Sequence, residues 1–191
     1  MTAKTDRDKL LYVAATVLVV LLMTVLLRAQ DRLFLCACGY FEIWTSDTCT
    51  SDNSQHLFDP YSFTHLLHGF LFFWLAMLLF KRFTTGWQLW IALLLESAWE
   101  VFENSRFVIE RYRTATAALG YQGDTIVNSV GDLMWAIGGF MIARHLGVWR
   151  SIFVFLFVEL ILLLWIHDSL ILQILMLVWP VDVIKAWQIC S

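Results

Sequence analysis

Residues Glu96 to Asp132 read ESAWEVFENSRFVIERYRTATAALGYQGDTIVNSVGD, and the fold turns on this stretch. It carries Glu96, Glu100, Glu103, Asn104, Asp124, Asn128 and Asp132 inside a strongly apolar chain. At about 100° per residue, the three glutamates fall within roughly 60° on one helical face. Asp124, Asn128 and Asp132 step by four and span roughly 80° on another. The short polar segment between the two helices makes them antiparallel neighbours. A carboxylate at bilayer depth costs about 2.5–3.5 kcal/mol on insertion scales. Both stripes must therefore face inward, toward a cation, a proton or each other.

The rest of the composition sets the class. Of 191 residues, 60% are hydrophobic and only two are proline, more apolar surface than a soluble domain of this length buries. The lipid bilayer is the expected partner. A formal net charge of −3 leaves no basic patch and excludes nucleic acid as a partner. Many of the ten tryptophans lie near expected helix ends, which suits an interfacial aromatic belt. The expected fold is all-α: a single polytopic membrane domain over 1–191, with five transmembrane helices and a C-terminal interfacial or re-entrant helix.

Residues 1–9 form a charged tail whose Lys4, Arg7 and Lys9 favour a cytoplasmic N-terminus. Leu10 to Leu27 lacks charge and reads as a retained first helix, because no small-x-small cleavage site follows it. Residues 28–59 are then an exported polar loop holding Cys36, Cys38 and Cys49. An oxidising compartment permits a disulfide from Cys49 to Cys36 or Cys38, and His56 reads as a solvated polar residue. Asp59-Pro60 predicts the start of the second helix, with Asp59 as N-cap, ending before Lys81-Arg82. Helices over 86–104, 124–144 and 151–166 follow, and the polar-cluster helices occupy 60–147. Gly131, Ala136, Gly138 and Gly139 predict a small-residue seam for close helix approach. Leu170 to Trp179 is too short to cross, which predicts the interfacial or re-entrant segment. Counting Lys and Arg places seven on the N-terminal side against six opposite, a narrow margin for orientation.

His65 and His68 lie early in the second helix, Glu100 and Glu103 late in the third, and Asp124 and Asn128 early in the fourth. All fall in one leaflet, with Glu96 and Asp132 deepest. Three readings compete for this cluster. Two imidazoles with several carboxylates suit a divalent zinc, iron or manganese ion, held by His65, His68, Glu100, Glu103 and Asp124. Glu96 and Asp132 then serve as catalytic base or second layer, with Asn104 and Asn128 as polar support. Such a site fits an enzyme acting on a lipid or lipid-linked substrate. Chained carboxylates and histidines also suit proton or cation translocation. The third reading is a hydrogen-bonded structural network in a non-catalytic assembly partner, with Asp124 as an N-cap and Glu103 paired to Arg106.

The runs SDNSQHLFDPYSFTHLLHGF and ESAWEVFENSRFVIERYR, with GYQGDTIVNSVGD, resemble an uncharacterised bacterial inner-membrane family known only as a domain of unknown function. The resemblance extends from CACGY at Cys36–Tyr40 through VWPVDVIKAWQ near the C-terminus. It implies a small multi-pass inner-membrane protein and brings no activity with it. One departure is Asp59-Pro60-Tyr61, where the family pattern has Asp-Trp-Tyr. The polar helices also bear a faint likeness to the VanZ-like membrane proteins, as analogy only.

Overall fold

The computed structural model describes residues 2–48, 50, 52–116 and 120–189, with residues 2–9 described by backbone alone. Within these residues the chain is all-helical: α1 Thr2–Ala29, α2 Ser62–Leu79, α3 Thr85–Glu103, α4 Arg106–Ala115, α5 Ile126–Leu146, α6 Val148–Trp165, α7 Leu170–Val178 and α8 Asp182–Gln188. The one strand-like contact is an isolated bridge between Trp44 and Phe58. Among the described residues, four segments are long and apolar enough to cross a membrane: Leu10–Ala29, Ser62–Leu79, Ile126–Leu146 and Val148–Trp165. The fifth expected crossing, α3, has 19 residues but falls short of that hydropathy because it carries Glu96, Glu100 and Glu103. Its polar stripe is buried against the bundle, so its composition understates its match to the bilayer.

Helix boundaries depart from the sequence reading where side chains intervene. The second helix begins at Ser62 rather than Pro60, because Asp59 is used upstream as a turn former. Its Oδ1 accepts the Tyr61 N–H at 2.7 Å and its Oδ2 the Ser54 N–H at 2.9 Å. Thr125, not Asp124, caps α5, its Oγ1 accepting from the Asn128 N–H at 3.3 Å. The third helix ends at Glu103, close to its expected end at 104. It breaks at Asn104-Ser105, where Ser105 caps a separate α4. Beyond the expected α7, Pro180 is followed by a further short helix, α8.

The loop between α1 and α2 folds down onto the bundle. The carbonyls of Leu33 and Phe34 accept the Ile126 and Val127 N–H groups, and the Ser54 carbonyl accepts from Thr125. These are orphan donors of the first turn of α5, so the loop caps that helix through its backbone. His56 lies fully buried within this loop, which corrects the reading of it as a solvated residue. Cys36 is joined to Cys38, correcting the expected bridge from either to Cys49, which lies outside the described residues.

Helices α2 and α5 run parallel and pack along the small-residue seam. A Cβ added at Gly139 would strike the Leu66 carbonyl, and one at Gly69 the Ala136 carbonyl. Gly131 lies equally close to the Leu57 carbonyl, whereas Gly138 points into open space and takes no part. Because the obstructing atoms are backbone, they cannot move aside by changing rotamer. The close approach carries the Ser62 hydroxyl to within 3.0 Å of Asp132 Oδ1. Below the polar layer, Leu67, Phe70, Phe73 and Phe140 form one buried apolar cluster, and Leu93 packs in a second with Val19, Met23 and Leu27 of α1.

Two alanine substitutions one residue apart separate packing from helix propensity. Gly138→Ala should be neutral or stabilising, since alanine gains up to about 1 kcal/mol over glycine in a helix interior. Gly139→Ala should instead destabilise by about 1–3 kcal/mol by forcing α2 from α5. Thermal unfolding of the two variants in detergent checks this; equal midpoints would remove the seam from the account.

Candidate intramembrane metal centre

Helical spacing explains how the cluster assembles. His65 and His68 are three residues apart on α2, so both rings project from one face toward α3. Glu96, Glu100 and Glu103 share the buried face of α3, as the stripe predicts. Glu96 is the junction, fully buried, with His65 Nδ1 2.6 Å from its Oε1 and His68 Nδ1 3.0 Å from its Oε2. His65 also faces Glu100, its Nδ1 3.3 Å from Oε1, while its Nε2 lies 3.9 Å from Asp132 Oδ2. One imidazole thus touches three carboxylates from two helices.

Ligand-type atoms converge in two overlapping groups, His65–His68–Glu96 and His65–Glu100–Glu103, each with one atom per residue within 4.8 Å of the others. Glu96 therefore belongs with the histidines rather than behind them. Asp132 is held from the other side by Ser62. Asp124 lies in a separate outer network: Asn104 Nδ2 donates to its Oδ2 at 2.7 Å, and its own N–H returns to Asn104 Oδ1 at 2.7 Å. The Tyr121 hydroxyl completes that network at 2.8 Å from Asp124 Oδ1. Burial holds the Asp124 carboxyl above the usual carboxylate range, against these hydrogen bonds. Glu103 accepts from the Tyr112 hydroxyl at 3.0 Å, and no ion pair to Arg106 is formed among the described residues.

Several buried polar atoms make no hydrogen bond among the described residues. Both carboxylate oxygens of Glu100 lack a hydrogen bond, as do Glu103 Oε2 and Asn128 Nδ2. A buried anion without donors is expensive, and the desolvation is offset only by a cation or a proton. A cavity of about 100 Å³ lies beside Glu103 and reaches the loop. His65, Glu103 and Asp132 line it from below, and Asn53 and Ser54 from the loop. No lysine or arginine is among its lining residues.

The sequence reading missed part of this lining. Tyr61, Tyr112, Tyr121 and Asp168 all face the cavity. Asp168 carried a usable signal: it interrupts an apolar run at the same membrane depth as Asp124. Glu159, a lone carboxylate in α6, is structural. Its oxygens accept the N–H groups of Leu170 at 3.0 Å and Ile171 at 3.2 Å, anchoring α7. Asp168 lies outside the spanning segments, and burial pushes its carboxyl up to about 7 despite bonds from the Ser169 N–H and Gln173.

Comparison with known proteins places the chain among bacterial relatives. Residues 27–190 match the model of a family described as a protein of unknown function, DUF2585. A UPF0314 protein of Agrobacterium fabrum is 47% identical over 168 residues, covering 88% of this chain and 85% of its own. Another, of Paracoccus denitrificans, is 41% identical over 174 residues, covering 91% and 90% respectively. A third, of Rhizobium johnstonii, is 45% identical over 159 residues, covering 83% and 82%. None of these matches lends support to the VanZ-like analogy. No solved structure matches the chain.

The raised Asp168 group gives a pH dependence of defined sign. Its folded value of about 7 lies above the unfolded value of about 3.9, so between them the folded chain keeps a proton that the unfolded chain has released. Stability is therefore lost as pH rises through that window. Asp168→Asn keeps an acceptor oxygen but cannot ionise. It should flatten the fall in thermal midpoint between about pH 5 and pH 8 and exceed the parent chain at the upper end. Parallel curves for the two proteins would show that Asp168 does not titrate there.

Proposed function

We propose that this chain, which belongs to the DUF2585 family of proteins of unknown function, is an inner-membrane, metal-dependent enzyme acting on a lipid or lipid-linked substrate. His65, Glu100 and Glu103 hold a divalent ion, with zinc, iron or manganese suited to that mixture of imidazole and carboxylate. Glu96, 2.6 Å from the same His65 Nδ1 that faces Glu100, joins these ligands, and it orients His68 through its Nδ1. Asp132, held by Ser62 and facing the same cavity, is placed to accept a proton from a reacting group. A bound ion supplies Lewis acidity and acidifies water beside it. The N-terminus faces the cytoplasm and the loop over 28–59 is exported.

The observation that carries this reading is the fully buried Glu100 carboxylate, whose oxygens make no hydrogen bond among the described residues while Oε1 lies 3.3 Å from His65 Nδ1. The described residues lining the adjoining cavity add Glu103, Asp124, Asp132 and Asp168 and no lysine or arginine, which favours a bound cation. Proton or cation translocation is the second reading, and the packing disfavours it. A relay needs a path to the opposite face. Gln88, the next polar residue on the buried face of α3 apart from Ser97, lies eight positions from Glu96, about 12 Å along the helix. Ala92, Phe70, Phe73 and Phe140 form one cluster of buried apolar side chains on that side of the bundle. The cavity beside His65, Glu103 and Asp132 extends to the loop residues Asn53 and Ser54, which suits a reaction site better than a conduit.

Metal analysis of the purified full-length chain, grown with zinc, iron and manganese, should find one ion per chain. His65→Ala should lose it and cost about 3–5 kcal/mol by leaving buried carboxylates uncompensated. Glu100→Gln added to that variant should restore part of the loss, a coupling of about 1 kcal/mol or more. Absence of metal with simple additivity would leave a structural network in an assembly partner. Proton flux in liposomes that His65→Ala abolishes without unfolding would favour translocation instead.

A further inference from the structure

The loop between α1 and α2 holds a second group of reactive side chains, which the intramembrane cluster does not use. Cys36 and Cys38 form a disulfide, and Asp52 and His56 lie with them, one ligand-type atom from each within 4.8 Å of the others. The two sulfurs are unequal. Cys38 is exposed and Cys36 half-buried, and the Cys38 N–H donates to Cys36 Sγ at 3.0 Å. His56 is fully buried, with Tyr40 stacked on it at 5.1 Å between ring centroids. The Tyr40 hydroxyl in turn donates to Asp52. His56 Nδ1 accepts the Glu42 N–H at 3.2 Å, which places the ring proton on Nε2. Among the described residues that N–H has no acceptor. A buried donor without an acceptor is costly, and with a ring nitrogen of His56 within 4.8 Å of a sulfur, a small shift of the ring lets it donate to a thiolate formed there.

We propose that Cys36–Cys38 is a thiol–disulfide exchange site, opened by a thiolate that attacks the exposed Cys38 sulfur and expels Cys36. In the first step the incoming sulfur bonds to Cys38 Sγ, the Cys36–Cys38 bond breaks, and its electron pair leaves on Cys36. The Cys38 N–H and the His56 ring receive that thiolate. A second thiol attacks the mixed disulfide at the incoming sulfur, releasing Cys38. Two external thiols are thereby oxidised to one disulfide, and their two protons end on Cys36 and Cys38. The reverse sequence recloses the loop. Accessibility of the attacked sulfur and stabilisation of the leaving one are what such exchange requires. The partner is a thiol at the loop face, either a small monothiol or a dithiol.

The test uses the full-length chain in detergent with Cys49→Ser and Cys190→Ser, which removes the other two cysteines. Glutathione and dithiothreitol are applied separately, followed by acid quench, alkylation and mass spectrometry. Glutathione should appear on Cys38 and not on Cys36, and dithiothreitol should open the pair fully while the thermal midpoint stays that of a folded chain. A monothiol source predicts a long-lived Cys38 adduct; a dithiol source predicts opening by dithiothreitol alone at low concentration. His56→Gln should slow adduct formation about tenfold, the loss of one charge-assisted hydrogen bond. A disulfide that both reagents leave closed until the protein is denatured would overturn the proposal, as would adducts shared equally between the cysteines. Stoichiometric zinc on the reduced chain that blocks reclosure would do the same, marking the four residues as a metal centre. The position of the adduct needs no variant of His56, so a misfolded His56→Gln would not shelter the idea.

Discussion

A carboxylate at the depth of Glu96 has to find partners within the protein, and it finds two imidazoles from a single helix. Both oxygens are used, one by each ring or shared between them, and the residue is fully buried. That one interaction determines which face α2 turns toward α3 and the register at which the two cross. Given it, Glu100 and Glu103 follow along the same face of α3, one and two turns nearer the loop. His65 then has its second nitrogen directed at α5, where the glycine seam has brought Asp132. The remaining anions are arranged by a bond that was itself required to bury the first of them.

The need to keep that geometry explains the backbone contact between α2 and α5. Side chains of ordinary size at Gly69 and Gly139 would hold the helices apart, and Asp132 would no longer reach Ser62. Without a hydrophobic driving force between helices in lipid, close packing of small residues is a main source of association. Here the same contact also sets the width of the polar cavity, so helix association and site geometry are one feature.

Much of this could be read from residue types and spacing. The acidic stripes, the common depth of His65, Glu100 and Asp124, and the inward orientation all follow from helical period and the cost of charge in lipid. Pairing within the cluster did not follow, because period fixes a face but not a rotamer. Glu96 was therefore expected behind the ligands, and it lies among them. Asp124 was expected beside the histidines, yet Asn104 and Tyr121 draw it into a different network. Tyr112 was hidden because α4 reads as a continuation of α3 until Ser105 caps it separately. The loop was least legible. The burial of His56 and the joining of Cys36 to Cys38 depend on a chain path with no periodic signal, and on carbonyls of Leu33 and Phe34 that hold it to α5.

The parallel arrangement of α2 and α5 divides the carboxylates by the sign of the backbone around them. Both helices begin at the loop face, so the partial positive charge of two helix starts is directed at Asp59 and Asp124, which stand just before them. Helix α3 runs the other way and ends there, so Glu100 and Glu103 lie in the negative field of its last turn. Two anions are eased by the backbone and two are opposed by it. The opposed pair includes the one whose oxygens have no hydrogen bond, and the demand for positive charge is therefore concentrated at the end of a single helix.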